Sequence, residues 1–373
     1  MPSSIASPIR VLVVDDSAFM RKVIANMLAS DPRIVVAGVA RHGEEALAQV
    51  RALKPDVMTL DIEMPGMNGI EVLRRVMEEM PLPVIMVSSL TEEGAKATLT
   101  ALDLGAVDYI PKHLQGSAVN ILGIQHDLVE KVIAAHRVGA RLAQLTRKAR
   151  GTGRPAERTL PPNTASVGRE SVKPSASAGS VFHARGSKVV VIGCSTGGPK
   201  ALQEIFPLFP KDFPAAILVV QHMPKYFTGP FAQRLNQVSE IEVREAVEGD
   251  TPAPGLALIA PGGLHMRVAR GSAAEVAVRL SAEPVTLHMP SVDVMMTSVA
   301  QVFSRRAVGV ILTGMGNDGH DGMKAIKAAQ GRTIAQDEAS CVIYSMPKGV
   351  VDSGLADKIV PLDKIAGEIA NMV

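Results

Sequence analysis

The stretch Lys188-Val189-Val190-Val191-Ile192-Gly193-Cys194-Ser195-Thr196-Gly197-Gly198-Pro199 runs β-branched residues into a glycine-framed serine and then into a helix-starting pattern. It predicts a strand, a sharp turn and a helix. The pentad Gly193 to Gly197 fits G-x-S-x-G, where small neighbours let the backbone bend enough to raise a serine hydroxyl above a sheet edge. The helix that follows would aim free N–H groups and a positive dipole end at the same spot. On these residues alone two readings stay open: a nucleophilic serine whose oxyanion is stabilised there, or a glycine-rich loop that cradles phosphate.

The totals narrow the class. A chain of 373 residues suits two domains rather than one. It is 47% apolar, yet no window approaches eighteen consecutive apolar residues, so soluble domains with no membrane insertion are expected. The first eight residues carry no secretory pattern, and Cys194 and Cys341 lack metal-finger or C-x-x-C spacing; a cytoplasmic location is the expectation. A formal net charge of +2 says almost nothing about a nucleic-acid partner, but with no zinc-finger pattern, long basic block or basic recognition helix none is expected.

From Ile9, apolar runs alternate with helix-like segments: Val11 to Val14, Ser17 to Ala29, Ile34 to Ala40, Glu44 to Leu53, Val57 to Leu60, Ile70 to Met80, Val84 to Ser88, Glu92 to Leu104, Val107 to Ile110, and a long helix from about Ile121. That alternation implies a five-stranded parallel sheet with helices on both faces, whose ligands sit beyond the carboxyl ends of the strands. Asp15 and Asp16 follow the first run, Asp61 the third, Ser88 closes the fourth and Lys112 follows the fifth. Three carboxylates gathered at one edge repel unless a cation sits between them, and a hard ion such as Mg²⁺ suits oxygen ligands. An aspartate held there can attack a phosphoryl group, with Ser88 and Lys112 on the transferred oxygens. The alternative for each aspartate singly is a helix cap or turn former.

This half resembles a response-regulator receiver domain, on Val13-Val14-Asp15-Asp16-Ser17, Leu60-Asp61-Ile62-Glu63-Met64-Pro65-Gly66-Met67-Asn68-Gly69, Val87-Ser88-Ser89 and Tyr109-Ile110-Pro111-Lys112. The resemblance implies that Asp61 accepts phosphate from a histidine kinase, that Asp15 and Asp16 join Asp61 on Mg²⁺, and that Tyr109 is the aromatic that reorients on phosphorylation. One departure is His113 where the family usually has proline after the lysine, which bears on the peptide isomer at Lys112-His113.

Residues 1–140 are therefore expected to form the receiver domain and 141–186 a linker. Gly151 to Ser180 is rich in Gly, Pro, Ser and Arg, and eight Lys or Arg against two Glu between Arg141 and Lys173 make the segment a basic, flexible tether. Residues 187–373 return to an α/β pattern, doubly wound and mostly parallel. Its expected strands are Val189 to Ile192, Ala216 to Val220, Leu256 to Ile259 and Val308 to Thr313, with a hairpin formed by His265 to Ala269 and Glu275 to Leu280.

A nucleophilic Ser195 needs a base and the base needs a carboxylate. His222 in Gln221-His222-Met223-Pro224 and Asp318 in Gly314-Met315-Gly316-Asn317-Asp318-Gly319 both follow predicted strands. Spacing favours His222 as base, with His265, His288 and His320 as competitors. The same Gly314 to Gly319 loop spells G-x-G-x-x-G, with Asp337 near the spacing of a ribose-binding acid, so a nicotinamide oxidoreductase is one alternative; a carboxylate at Asp318 beside a pyrophosphate argues against it. A non-catalytic interaction module controlled by the receiver is the other.

The second half is similar to the catalytic domain of chemotaxis protein-glutamate methylesterases, on the Gly193 to Pro199 stretch, Gln221 to Pro224, Ala260-Pro261-Gly262-Gly263-Leu264-His265-Met266 and Leu312 to Gly319. The resemblance implies a Ser195 nucleophile, a His222 base and an orienting Asp318, with the Met315 backbone and Thr196 supporting the oxyanion. It also implies hydrolysis of glutamate methyl esters, and deamidation of glutamines, on chemoreceptor cytoplasmic domains, with no cofactor for the ester chemistry. The expected enzyme is a monomer switched on by phosphorylation of Asp61. Cys194 stands where alanine is common and reads as a small buried filler.

Overall fold

The computed structural model describes residues 7–112, 118–151, 187–271 and 275–373. The Lys112-His113 joint and most of the expected tether lie outside the described residues. The first unit runs β1 (Ile9–Val14), α1 (Ala18–Ala29), β2 (Ile34–Ala40), α2 (Gly43–Leu53), β3 (Val57–Asp61), α3 (Gly69–Glu79), β4 (Val84–Ser88), α4 (Glu92–Asp103), β5 (Asp108–Pro111) and α5 (Ala118–Gly151). Its sheet is wholly parallel in the order β2-β1-β3-β4-β5. Leu12 and Val14 of β1 face one apolar cluster, and Val11 and Val13 face another. Period-two alternation with both faces apolar is what a strand sandwiched between two helical layers requires.

The second unit continues with β6 (Val189–Cys194), α6 (Gly198–Ile205), β7 (Ala216–Gln221), α7 (Lys225–Val238), β8 (Glu242–Glu245), β9 (Leu256–Ile259), β10 (His265–Arg270), β11 (Val276–Ser281), α8 (Val292–Phe303), β12 (Ala307–Ile311), α9 (His320–Ala328), β13 (Arg332–Gln336), α10 (Ser345–Asp352), β14 (Lys358–Val360) and α11 (Leu362–Met372). Seven parallel strands lie in the order β14-β13-β12-β6-β7-β9-β8, and β10 and β11 form the antiparallel hairpin. Alternate residues of β6 again face opposite clusters, Val190 and Ile192 on one side, Val189 and Val191 on the other. The chain leaves β6 toward β7 and returns on its other side as β12. That reversal opens a crevice at the carboxyl ends of β6, β7 and β12, where ligands of open α/β sheets sit.

Three features depart from the sequence reading. Helix α5 runs on to Gly151, past the expected boundary at 140, because Leu142 to Arg150 holds good helix formers and the breakers begin only at Gly151. Strands β8, β13 and β14 are not among the expected strands, and β14, with three residues, is too short to show a period. Helix α7 carries Pro230 and Gly229, which read as breakers, yet Phe227, Phe231 and Leu235 form a buried apolar face that overrides local propensity.

The two units touch along α4 and α7, and their apolar clusters merge. Tyr109 of β5 stacks on Phe227 of α7 with ring centroids 4.9 Å apart and planes within 5°. Asp103, ending α4, accepts a hydrogen bond from Gln203 Nε2 at 3.0 Å and pairs with Arg234. No helix among the described residues is long and apolar enough to cross a membrane. Phe227 is fully buried, so Phe227→Ala is expected to cost about 3–5 kcal/mol in urea unfolding; a loss below about 1 kcal/mol would contradict the described seam.

Candidate functional site

Ser195 is placed by the turn between β6 and α6. Gly197, the residue before α6, has φ +77°, and a Cβ there would lie 2.6 Å from Val342 Cγ2, so the bend needs glycine on both conformational and steric grounds. The Ser195 N–H donates to Thr313 O at 3.1 Å, and its carbonyl accepts from Gly198 N at 2.8 Å and from Gln221 Nε2 at 2.9 Å. The backbone is thus clamped and the hydroxyl is left at the half-open head of α6. Gly314 packs against it: a Cβ built there would be 3.0 Å from Ser195 Cβ, which brings the neighbouring Met315 to the same crevice. Thr196 is buried, its carbonyl accepting from Thr313 Oγ1 at 2.9 Å. Cys194 points into the core, where burial drives its thiol far above the usual range. That makes it a filler, as expected.

His222 follows β7, and its N–H donates to Cys194 O at 3.1 Å. Its Nε2 lies 2.8 Å from Asp318 Oδ2, and the two side chains are 9% and 10% exposed. Asp318 also accepts from Val292 N at 2.7 Å, Asp293 N at 2.9 Å and Ser291 Oγ at 2.8 Å. These groups are the N-terminus of α8 with its capping serine, so the carboxylate sits on orphan N–H groups at the positive end of the helix. Burial alone would raise Asp318, but the hydrogen bond and charge of His222 and the N–H groups of Asp293 and Val292 outweigh it and hold the carboxyl well below the usual range. An ionised carboxylate only accepts, so Nε2 carries the ring proton. That leaves Nδ1, buried and without a hydrogen-bond partner, as the basic nitrogen.

The competing histidines take other places. His320 bonds Asp321 at 3.2 Å and Ser353 at 2.9 Å. His265 is fully buried: its Nδ1 accepts from Ser291 N at 3.1 Å and its Nε2 donates to Pro284 O at 2.8 Å, which fixes its tautomer. His288 stacks on His222. Asp337 accepts from Ser340 N and Oγ at 3.0 and 2.6 Å, a local turn with no bearing on a ribose. Sequence reasoning missed Ser291 and the N–H groups after it; the signal was a serine preceding the apolar run Val292 to Phe303.

A second polar cluster lies at the carboxyl edge of the first sheet. One carboxylate oxygen from each of Asp15, Asp16 and Asp61 lies within 4.8 Å of the others. Asp15 and Asp61 are fully buried and Asp16 is exposed. Lys112 Nζ stands 2.6 Å from Asp61 Oδ2 and 3.2 Å from Asp15 Oδ2, by charge, since neither oxygen has a partner of good hydrogen-bond geometry. Burial raises Asp61 to about 6; Lys112 opposes this and the charge of Asp15 adds to it. Two under-satisfied buried oxygens beside an open third carboxylate fit a hard divalent cation. Ser88 is buried, its hydroxyl donating to Gly94 O at 3.2 Å, and Tyr109 is turned into the seam with Phe227.

Comparison with known proteins aligns with both halves. Residues 11–120 match the family model described as response regulator receiver domain, and residues 190–369 the model described as CheB methylesterase. Protein-glutamate methylesterase/protein-glutamine glutaminase 1 of Oleidesulfovibrio alaskensis is 49% identical over 98% of this chain and 99% of its own. The protein of that name numbered 2 in Nitratidesulfovibrio vulgaris is 51% identical, over 97% and 99%. The crystal structure of the Thermotoga maritima CheB methylesterase catalytic domain matches 50% of this chain and 99% of that one, at 41% identity and a TM-score of 0.49.

Two outcomes follow. Asp318→Asn turns an amide NH₂ toward two of the four donors, whichever oxygen it replaces, and is expected to lower stability by about 1–3 kcal/mol in urea unfolding; unchanged stability would contradict the cap described. Since Asp61 titrates at about 6, its ionised, cation-binding form is lost as pH falls through that value. Calorimetric Mg²⁺ affinity of the full chain should weaken about fourfold between about pH 7.5 and about pH 5.5, and an affinity flat across that window would contradict the cluster.

Proposed function

The chain belongs to the family of protein-glutamate methylesterases/protein-glutamine glutaminases, and from that premise we propose that it hydrolyses glutamate methyl esters, and deamidates glutamines, on chemoreceptor cytoplasmic domains under control of its receiver. The observation that carries this reading is the 2.8 Å bond from His222 to Asp318 at the mouth of the crevice that Ser195 shares. Ser195 Oγ attacks the ester carbonyl and its proton passes to His222 Nδ1. Asp318 holds the ring and offsets the charge it gains. The tetrahedral oxyanion faces the head of α6, with the N–H groups of Met315 and Thr196 as its donors. His222 returns the proton to departing methanol, or to ammonia from a glutamine, and water then clears the acyl-enzyme by the same route.

In the receiver, Asp61 is the phosphoacceptor, served by a histidine kinase of the chemotaxis system. Asp15, Asp16 and Asp61 would hold Mg²⁺, which when bound offsets the charge of the incoming phosphoryl group; Lys112 and Ser88 take its oxygens and Tyr109 reports the change. A cytoplasmic monomer suits these partners. Val138 of α5 lines a cavity of about 390 Å³ together with Gly197, Lys200 and Thr313, so the receiver reaches the residues that follow Ser195 at the start of α6.

Methanol release from methylated receptor membranes, with and without a small phosphodonor, tests both halves. Wild type should be stimulated, Asp61→Asn should keep the basal rate without stimulation, and Ser195→Ala should fall by about 10⁴-fold or more. Wild-type release by Ser195→Ala, or full stimulation of Asp61→Asn, overturns the corresponding assignment.

A further inference from the structure

Residues 284–291 form a strap from the hairpin to the start of α8, held by three bonds from outside it and one within it. His265 holds both ends, through Pro284 O at 2.8 Å and Ser291 N at 3.1 Å. Between them Thr286 Oγ1 donates to His288 O at 2.5 Å, and Gly263 N donates to Met289 O at 3.0 Å. The strap alternates its side chains. Val285 and Leu287 are 80% and 92% exposed, whereas Thr286 turns toward His265 and His288 lies face to face on His222, with centroids 4.1 Å apart and planes 16° from parallel. The far edge of His288 meets the loop after β12: a Cβ built on Gly316 would stand 3.9 Å from His288 Nε2.

We propose that His288 is a positioning residue for the base: stacked on His222, it keeps that ring in the plane that gives Nε2 to Asp318, and its π face stabilises the imidazolium formed when Nδ1 takes the Ser195 proton. The inference rests on reading Ser195, His222 and Asp318 as nucleophile, base and orienting acid. Asp318 holds one edge of His222, and a single hydrogen bond leaves the ring free to rock about it. A second ring packed against the face removes that freedom. A flat π system over a forming cation is also attractive when water is excluded. The contact works only while His288 is uncharged. Burial and the charge of His222 lower His288 to about 4, against the smaller upward pulls of Asp318 and of Asp127 on α5, so it stays neutral where the base operates.

Two replacements separate the π face from simple filling of space. His288→Phe keeps a ring on His222; His288→Leu keeps bulk without one. In full-length protein assayed on methylated receptor membranes, the Leu variant should lose about tenfold in kcat with KM within about twofold, the order of a desolvated cation–π contact. Phe should stay within about threefold of wild type. The acid limb of kcat/KM reports the free base. Removing a group that favours its protonated form should move that limb to lower pH in the Leu variant and leave it in place for Phe. Rates of Ser195 labelling by a fluorophosphonate should follow the same order. Leu and Phe variants that behave alike, a loss confined to KM, or an unmoved acid limb in the Leu variant overturns the proposal. Should wild type label at Ser195 yet release no methanol, the substrate reading fails, while the labelling rates of the two variants still decide the role of His288.

Discussion

The carboxylate of Asp318 has to be charged, buried and fixed at once, and the second unit is built around how it meets those demands. A lone ionised carboxyl taken out of water costs many kcal/mol. Here the cost is met by one end of one helix: two N–H groups and the capping hydroxyl of α8, with His222 on the remaining side. Those donors would be unpaired without it, so the acid and the helix satisfy each other. The same contact fixes where α8 begins and which nitrogen of His222 is protonated. The proposed catalytic geometry and the stability of the fold therefore draw on the same four bonds.

The receiver solves the opposite problem. Its carboxylates are gathered where they repel, and among the described residues Lys112 is the cation that stands between Asp15 and Asp61. The edge is left under-satisfied, which suits the proposed binding of a cation and a phosphoryl group there. Different strand ends of the same sheet design thus hold an acid kept firmly ionised at Asp318 and one poised to change at Asp61.

Much of this was legible in the sequence because parallel strands buried on both faces read as aliphatic runs, and polar residues at their ends stand out. Ser195, His222 and Asp318 each follow such a run, as do Asp15, Asp61 and Lys112. What was not legible came from contacts distant in sequence. The three-residue β14 has no period to detect, and α7 hides behind Pro230, its apolar face meaningful only against β8 and the receiver. His288 could be counted among the histidines, but nothing in its local sequence shows that the strap folds back to lay it on His222, 66 residues earlier in numbering. Asp103 likewise gives no sign that its partners are Gln203 and Arg234 in the other unit.

The stack of Tyr109 on Phe227 closes a seam in which two hydrophobic cores run together. Such a seam is a two-position equilibrium, docked or undocked, whose balance is set by the apolar surface that undocking exposes to water. Under the proposed function, phosphate at Asp61 can shift the balance only by as much as it favours one position over the other. Carrying the population from one part in a hundred undocked to ninety-nine takes about 5.5 kcal/mol of such preference. Among the described residues the seam joins α4 and Tyr109 of β5 to α6 and α7, so the apolar surface it covers sets how much preference any switch between the two positions would have to supply.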